Sequence, residues 1–269
     1  MKAALLTFVV LAAMPLRGAG LPIQHLEQKA VEVFDRHVAE CEGHFPERAH
    51  GVDPELPKPL LEMRRSENIE GGGHIFHWFG AMRVAGVSLD TALRTMQNYA
   101  KYSQYFHGSV VESTAVLQTD SSESDNHYRV EMDLAHPAMW FDIAMRGVYD
   151  VHYRRLDGQH AVTSSRSLSI LEYIDAHRRE SGTYPEGRDH GFLWRTYTAW
   201  QIRERDGGVE MEMNSICLSR TVPRGFGWLA KKKAKESVET MLERTRAAIA
   251  ANVTGSPSLT RNSRSGPAE

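Results

Sequence analysis

The polar residues whose spacing suits chemistry lie on extended segments in the second half of the chain. Asp142, Arg146 and Asp150 alternate along one stretch, and Arg195 and Tyr197 along another. A carboxylate beside a guanidinium or phenol inside a cavity is a minimal set for general acid–base catalysis. Parity decides whether these groups face a cavity. Neighbours along a strand point to opposite faces, and Phe141, Ile143, Met145, Tyr149, Val151 and Tyr153 share the face opposite the three charges. Burying apolar area contributes about 25 cal/mol per Å², so the apolar face turns inward and the charges are expected outside, pairing across strands. A slip of one residue would reverse this and make them the first acid–base candidates.

Other motifs point away from catalysis. His74 and His77 have a metal-ligand spacing for a helix, but on a strand they face opposite ways. Gly225-Phe226-Gly227-Trp228-Leu229-Ala230 matches G-x-G-x-x-A. A dinucleotide site needs that turn inside a βαβ unit with an acidic residue about 20 positions on. Here only the tail follows the helix, so the glycines start a helix. The thirteen histidines are scattered, and no His-Glu-x-x-His, Gly-x-Ser-x-Gly or Cys-x-x-Cys occurs. No catalytic residue, metal or cofactor is expected.

The apolar alternation points to a container. Tyr128, Val130, Met132 and Leu134 share one face of their strand; Phe192, Trp194, Trp200 and Ile202 share another, with Thr196 and Thr198 between them. In the last strand Val209, Met211, Met213, Ser215 and Cys217 oppose Glu210, Glu212, Asn214 and Ile216. The helix that follows carries Val238, Met241, Leu242, Thr245, Ala248 and Ile249 on one stripe. Thioethers suit a wall that accepts varied apolar guests. Small or hydroxylated positions, namely Gly147, Thr196, Thr198 and Ser215, leave room and a few polar handles. The expected ligand-binding set is therefore Tyr128, Val130, Met132, Phe141, Ile143, Met145, Tyr149, Trp194, Thr196, Thr198, Met211, Met213, Ser215, Val238, Met241 and Leu242.

The elements that position these residues follow an α+β order. A helix is expected over 23–41, from Leu26, Ala30, Val33, Phe34 and Val38. Residues 43–73 read as loop, with a short helix near 60–65 and Gly71-Gly72-Gly73 as a flexible joint. Strands are expected over 75–84, 110–119, 127–134, 140–155, 161–174, 192–203 and 209–218. Ser88 caps a helix over 89–96, and a helical piece covers 99–106. Asp157-Gly158 and Asp206-Gly207 mark tight hairpins.

The segment Val87-Ser88-Leu89-Asp90, the stretch Tyr99-Ala100-Lys101-Tyr102-Ser103-Gln104-Tyr105-Phe106, and the ending Leu218-Ser219-Arg220-Thr221-Val222-Pro223 before Trp228 resemble the START-like, or SRPBCC, superfamily. Asn98 stands where that pattern commonly has Asp. The resemblance spans about residues 73–251. It implies a helix-grip fold: a curved antiparallel sheet wrapped around a long C-terminal helix, here with an N-terminal helical extension. The superfamily includes lipid-transfer domains, ligand binders and polyketide cyclases with aromatase relatives, so the resemblance implies fold more strongly than function.

The ends and the composition set the rest. The chain has 269 residues, 41% of them hydrophobic and 25% charged, with a net charge of −2, which gives no general attraction to nucleic acid. Met1-Lys2 precedes an apolar run from Ala3 to Ala13, and Gly18-Ala19-Gly20 offers a cleavage point, so residues 1–20 read as an export signal. The expected organisation is a signal peptide (1–20), a helical and loop extension (21–73), a START-like ligand-binding domain (74–251) and a disordered tail (252–269). Cys41 and Cys217 are either joined or two separate thiols. Lys231, Lys232 and Lys233 are a solvated face or a membrane-surface contact beside a cavity mouth. The expected function is an exported, periplasmic or secreted carrier of a hydrophobic or lipid-like small molecule. The alternative is a cyclase or aromatase acting in the same cavity, for which Arg195, Tyr197, Asp142 and Arg146 are the residues that matter.

Overall fold

The computed structural model describes residues 22–44, 58–118, 122, 125–138 and 141–252. The expected signal segment 1–20 and the tail from 253 onward lie outside the described residues, as does the stretch 45–57. Among the described residues, no helix is long and apolar enough to cross a membrane.

Helix α1 (Gln28–His44) leads into strands β1 (Leu60–Ile69) and β2 (Gly73–Ala85). Helix α2 (Leu89–Met96), a short 3-10 turn and helix α3 (Tyr102–Tyr105) follow. Then come β3 (Val110–Leu117), β4 (Asp125–Ala138), β5 (Phe141–Arg155), β6 (His160–Glu172), β7 (Arg195–Arg205), β8 (Gly208–Arg220) and helix α4 (Gly227–Ala251). The eight strands form one antiparallel sheet in the order β1-β2-β8-β7-β6-β5-β4-β3. Strand β8 returns beside β2, so the helices between β2 and β3 and the terminal helix α4 come to lie over the same face. Ser88 caps α2 by accepting from the Thr91 N–H, and Glu204 on β7 accepts from the Leu89 N–H at 2.7 Å. Those two acceptors satisfy the Leu89 and Thr91 N–H groups, two of the donors that a helix start leaves unpaired.

The alternation places the core. Val130, Met132 and Leu134 of β4, Ile143, Met145 and Tyr149 of β5, and Met211 and Met213 of β8 join Val238, Leu242 and Ile249 of α4 in one buried cluster. This is the helix-grip arrangement, an α+β fold with the sheet curved around a terminal helix.

Three local expectations are corrected. Residues 60–65 are extended, not helical, and pair with β2 in register from Leu60 opposite Ala81 to Ile69 opposite Gly73. Gly71 and Gly72, with φ of 88° and 82°, form the hairpin turn that joins β1 to β2 and are not a loose joint. A domain boundary at residue 73 would therefore cut through a hairpin. Asp206-Gly207 does take positive φ at both positions, 49° and 69°. Asp157-Gly158 does not: its loop closes when the Asp157 carboxylate accepts from the Gln159 N–H at 2.8 Å, and the Leu156 N–H reaches the His160 carbonyl at 2.9 Å.

The convex face is also covered, which alternation did not anticipate. Ala30, Phe34 and Val38, one helical turn apart on α1, pack on Ile75, Tyr197, Ala199, Ile216 and Leu218. Strand β8 is buried on both sides, under α1 at Ile216 and Leu218 and also at Glu210 and Glu212 nearer its start. Trp194 belongs to this second cluster and not to the concave one. The strand begins only at Arg195, and the Trp194 indole N–H donates to buried Asp189 at 2.9 Å in the preceding loop, which holds the ring under α1.

Cys217 faces the concave core while Cys41 packs with the α1 cluster, so the sheet separates them and both are free thiols. Burial raises both thiol pKa values, Cys41 to about 11 and Cys217 to about 12.

Candidate functional site

A cavity of about 120 Å³ opens between the sheet, the α2–α3 segment and the C-terminal half of α4. Four groups of residues wall it. The α2–α3 segment contributes Met96, Tyr99, Tyr102, Tyr105 and Phe106. Strands β4 and β5 contribute Met132, Tyr149, Val151 and Tyr153. Strands β6 and β7 contribute Thr163, Ser165, Thr196 and Thr198, with Ser165 directly opposite Thr198 in the ladder. Helix α4 contributes Met241, Thr245, Ala248 and Ile249.

The tyrosines divide into an internally bonded set and one that stands apart. The hydroxyls of Tyr99 and Tyr153 lie 2.8 Å apart, and Tyr153 donates onward to the Met96 carbonyl at 3.0 Å. Asn252 donates its side-chain amide to the Tyr105 hydroxyl at 3.1 Å, tying the end of α4 to α3. Tyr149 has no such relay. Its ring lies back over Gly147, where a Cβ would sit 2.3 Å from the hydroxyl oxygen. That hydroxyl is buried and has no hydrogen-bond partner among the described residues. Leaving such a group unpaired costs about 1–3 kcal/mol; Tyr149 lines the cavity, so a guest that met this hydroxyl through a turn of the ring would gain a hydrogen bond.

Burial pushes the phenols of Tyr99, Tyr149 and Tyr153 well above their ordinary pKa, so all three stay protonated at neutral pH. Among the described lining residues there is no carboxylate, imidazole, amine or guanidinium. The wall offers neutral hydroxyls, thioethers and aromatic faces.

Of the sequence-derived ligand set, the structure brings Met132, Tyr149, Thr196, Thr198 and Met241 to this cavity. Val130, Ile143, Met145, Met211, Met213, Val238 and Leu242 lie on the expected concave side but pack into solid core away from the opening. Ser215 is buried on β8, opposite Thr198. Tyr128 sits half-buried at the rim of the core, its hydroxyl 3.4 Å from the Gln97 side chain. Phe141 begins β5, and its side chain is outside the described residues. Trp194 is on the other side of the sheet. The α2–α3 aromatics were missed, although Tyr99, Tyr102 and Tyr105 repeat at helical spacing and form a stripe on one side of that segment.

The four acid–base candidates stay off the cavity. Arg146 pairs with Asp133 at 3.3 Å and Asp142 with His177 at 3.2 Å, on the outer surface. Arg195 pairs with Glu186 at 2.9 Å, and Tyr197 is buried beneath α1. His74 and His77 diverge as well: His74 bonds Asn68 at 2.7 Å, while His77 bonds Asn214 at 2.8 Å and His37 at 3.1 Å. The basic run is likewise remote from the opening. Lys231 and Lys232 are exposed in the first turns of α4, and Lys233 pairs with Glu236 at 2.7 Å. Lys233 precedes Met241 by eight residues, which is about 12 Å along a helix.

No protein-family model matches the sequence, and no curated protein matches it. Among solved structures the chain is similar to a STAR-related lipid transfer protein from Xanthomonas axonopodis, with 14% identity and a TM-score of 0.45 over 70% of this chain and 98% of that one. It is similar to human STARD10 with 8% identity and a TM-score of 0.43, over 81% and 78% of the two chains. The Zhui aromatase/cyclase from Streptomyces sp. R1128 gives 15% identity and a TM-score of 0.36, over 68% and 93%. The antiparallel sheet with a terminal helix over one face is the order of elements expected from the sequence. The likeness is one of chain path and assigns neither ligand nor reaction.

Proposed function

We propose that this protein is an exported carrier of a small, mainly apolar molecule that bears one polar oxygen. The observation that supports this most directly is the cavity wall itself, in which aromatic and thioether side chains are joined by neutral hydroxyls, with Tyr149 carrying a buried hydroxyl that has no partner among the described residues. Size narrows the class. A cavity of about 120 Å³ compares with the roughly 150 Å³ of an apolar protein cavity that takes up benzene. A single substituted ring or short branched chain fits that space, whereas a two-chain lipid does not unless α4 or the α2–α3 segment swings away. The neutral lining favours carriage over acid–base turnover, because a cyclase or aromatase needs a proton donor and acceptor placed at the guest.

The test uses p-cresol and toluene, which differ by the hydroxyl. A ligand that binds only the folded state stabilises it by RT ln(1 + [L]/Kd), so p-cresol is expected to raise the melting temperature more than toluene does. In Tyr149→Phe the two ligands should converge. That variant should be no less stable than the parent when empty, since it removes a buried unpaired hydroxyl. Neither ligand shifting the melting temperature or any cavity resonance at millimolar concentration would overturn the reading. Preference for a long-chain fatty acid over both would overturn the size limit.

The export half of the proposal rests on the apolar run from Ala3 to Ala13 and the small residues that follow. Amino-terminal sequencing of protein made in its own host should begin at Leu21. A mature protein that still begins at Met1 would remove this part of the proposal.

A further inference from the structure

We propose that His127, Asp150 and His152 form a divalent-metal site on the convex face of the sheet, away from the cavity. No sequence motif announces it, because its two histidines are on different strands. The β4–β5 register sets His127 directly opposite His152. Their rings stack with centroids 4.0 Å apart and 17° between planes. Asp150, two residues before His152 and so on the same face, sends one carboxylate oxygen to each ring. Its Oδ1 is 2.6 Å from the His127 Nε2, and its Oδ2 is 3.2 Å from the His152 Nε2. The donor atoms of all three residues lie within 4.8 Å of one another, and all three residues are half-buried.

This donor set has the chemistry of a metal site. Zinc takes imidazole nitrogen at about 2.0–2.1 Å and carboxylate oxygen at about 2.0–2.2 Å, so small side-chain rotations bring the three donors onto one ion. Two imidazoles and one carboxylate suit Zn²⁺ and its neighbours Co²⁺, Ni²⁺ and Cu²⁺ more than Mg²⁺ or Ca²⁺, which prefer oxygen alone. Half-burial limits the solvation of the ligands while leaving the remaining coordination positions to water. The local cations do not pre-empt the carboxylate. Arg166, opposite Asp150 on β6, is held by Asp35 of α1 at 2.6 Å, and Arg154 lies opposite Asp125. Arg129 lies opposite Asp150 in the ladder, yet both carboxylate oxygens meet imidazole nitrogens.

Such an ion would clamp β4 to β5 at a position where the opposite face is cavity wall. Tyr149, Val151 and Tyr153 alternate with Asp150 and His152 along β5. Occupancy would therefore stiffen the strand that carries Tyr149.

The experiment is calorimetric titration of tag-free, chelator-treated full-length protein with Zn²⁺. One ion per chain is expected. His127→Ala and His152→Ala should each weaken binding at least about 10-fold, since even partners that merely support a ligand are worth 10–100-fold. Zinc should also raise the melting temperature of the parent and not that of the double variant. On the unsubstituted protein, Zn²⁺ should shift the imidazole resonances of His127 and His152 and leave those of His74 and His77 in place. No stoichiometric binding, binding unchanged in a folded double variant, or shifts confined to other histidines would each overturn the site.

Discussion

Lowering the pH from 7 to 4.5 is expected to reduce the unfolding free energy by about 3 kcal/mol. Two imidazoles drive the loss. His74 is pushed down to about 4, first by burial and then by the nearby Lys231 charge. His77 is pushed down to about 4 chiefly by burial, against the hydrogen bond that its Nε2 donates to the Asn214 Oδ1, which favours the charged form. In the unfolded chain both titrate near 6.5. Their folded values are the lower ones, so between 6.5 and 4 the unfolded chain holds more protons than the native one. Stability from these groups is complete above 6.5 and drains away as the pH falls toward 4, at up to about 1.4 kcal/mol per pH unit for each imidazole.

Asp189 works the other way. Burial raises its carboxyl to about 6, ahead of the Gly191 and Trp194 hydrogen bonds that oppose the shift. The native chain takes up that proton before the unfolded one does. Acidification through 6 therefore relieves the cost of burying its charge and offsets roughly one of the two histidines. Urea unfolding at pH 7, 5.5 and 4.5 measures the balance, and His74→Asn should flatten the slope. A stability that stays level over that range would mean that neither imidazole is buried as described.

Gly147→Ala is expected to destabilise the protein by about 1–3 kcal/mol and to abolish p-cresol binding together. A Cβ there would lie 2.3 to 2.6 Å from the hydroxyl and ring atoms of Tyr149. The ring is 1% exposed and rigid, so it has to turn, and the open side is the cavity. At about 2–4 °C per kcal/mol for a domain of this size, the melting temperature should fall measurably. Gly158→Ala is the control. It meets nothing within 4 Å and needs no positive φ, so it should change neither quantity. A Gly147→Ala protein that keeps both its melting temperature and its ligand response would contradict the stacking of Tyr149 on this glycine.

Much of the sheet could be read from two-residue alternation. Met211 and Met213 against Glu210 and Glu212 correctly identified the concave face of β8, and the stripe from Val238 to Ile249 placed α4 over it. What alternation reports is the face and not the height along it. Met213 and Thr196 share a side of the sheet, yet one sits in solid core and the other on the cavity wall. That distinction depends on how far α2 and α3 reach across the opening, which is a tertiary fact. Strand β1 escaped notice for a local reason. As an edge strand with charged residues and a bulge between Met63 and Arg65, it carries no clean period. The His127–Asp150–His152 cluster was hidden because cross-strand register, not spacing, makes it.

The placement of the two thiols on opposite sides of the sheet has a practical corollary. Cys217 is enclosed by the concave core, and Cys41 rides on the helix that shields the back. A bridge between them would have to pierce the ladder, so the native state contains no covalent staple for a reductant to cut. A reductant therefore leaves the contacts of the native state untouched, and oxidative mispairing between folded molecules is confined to the half-exposed Cys41.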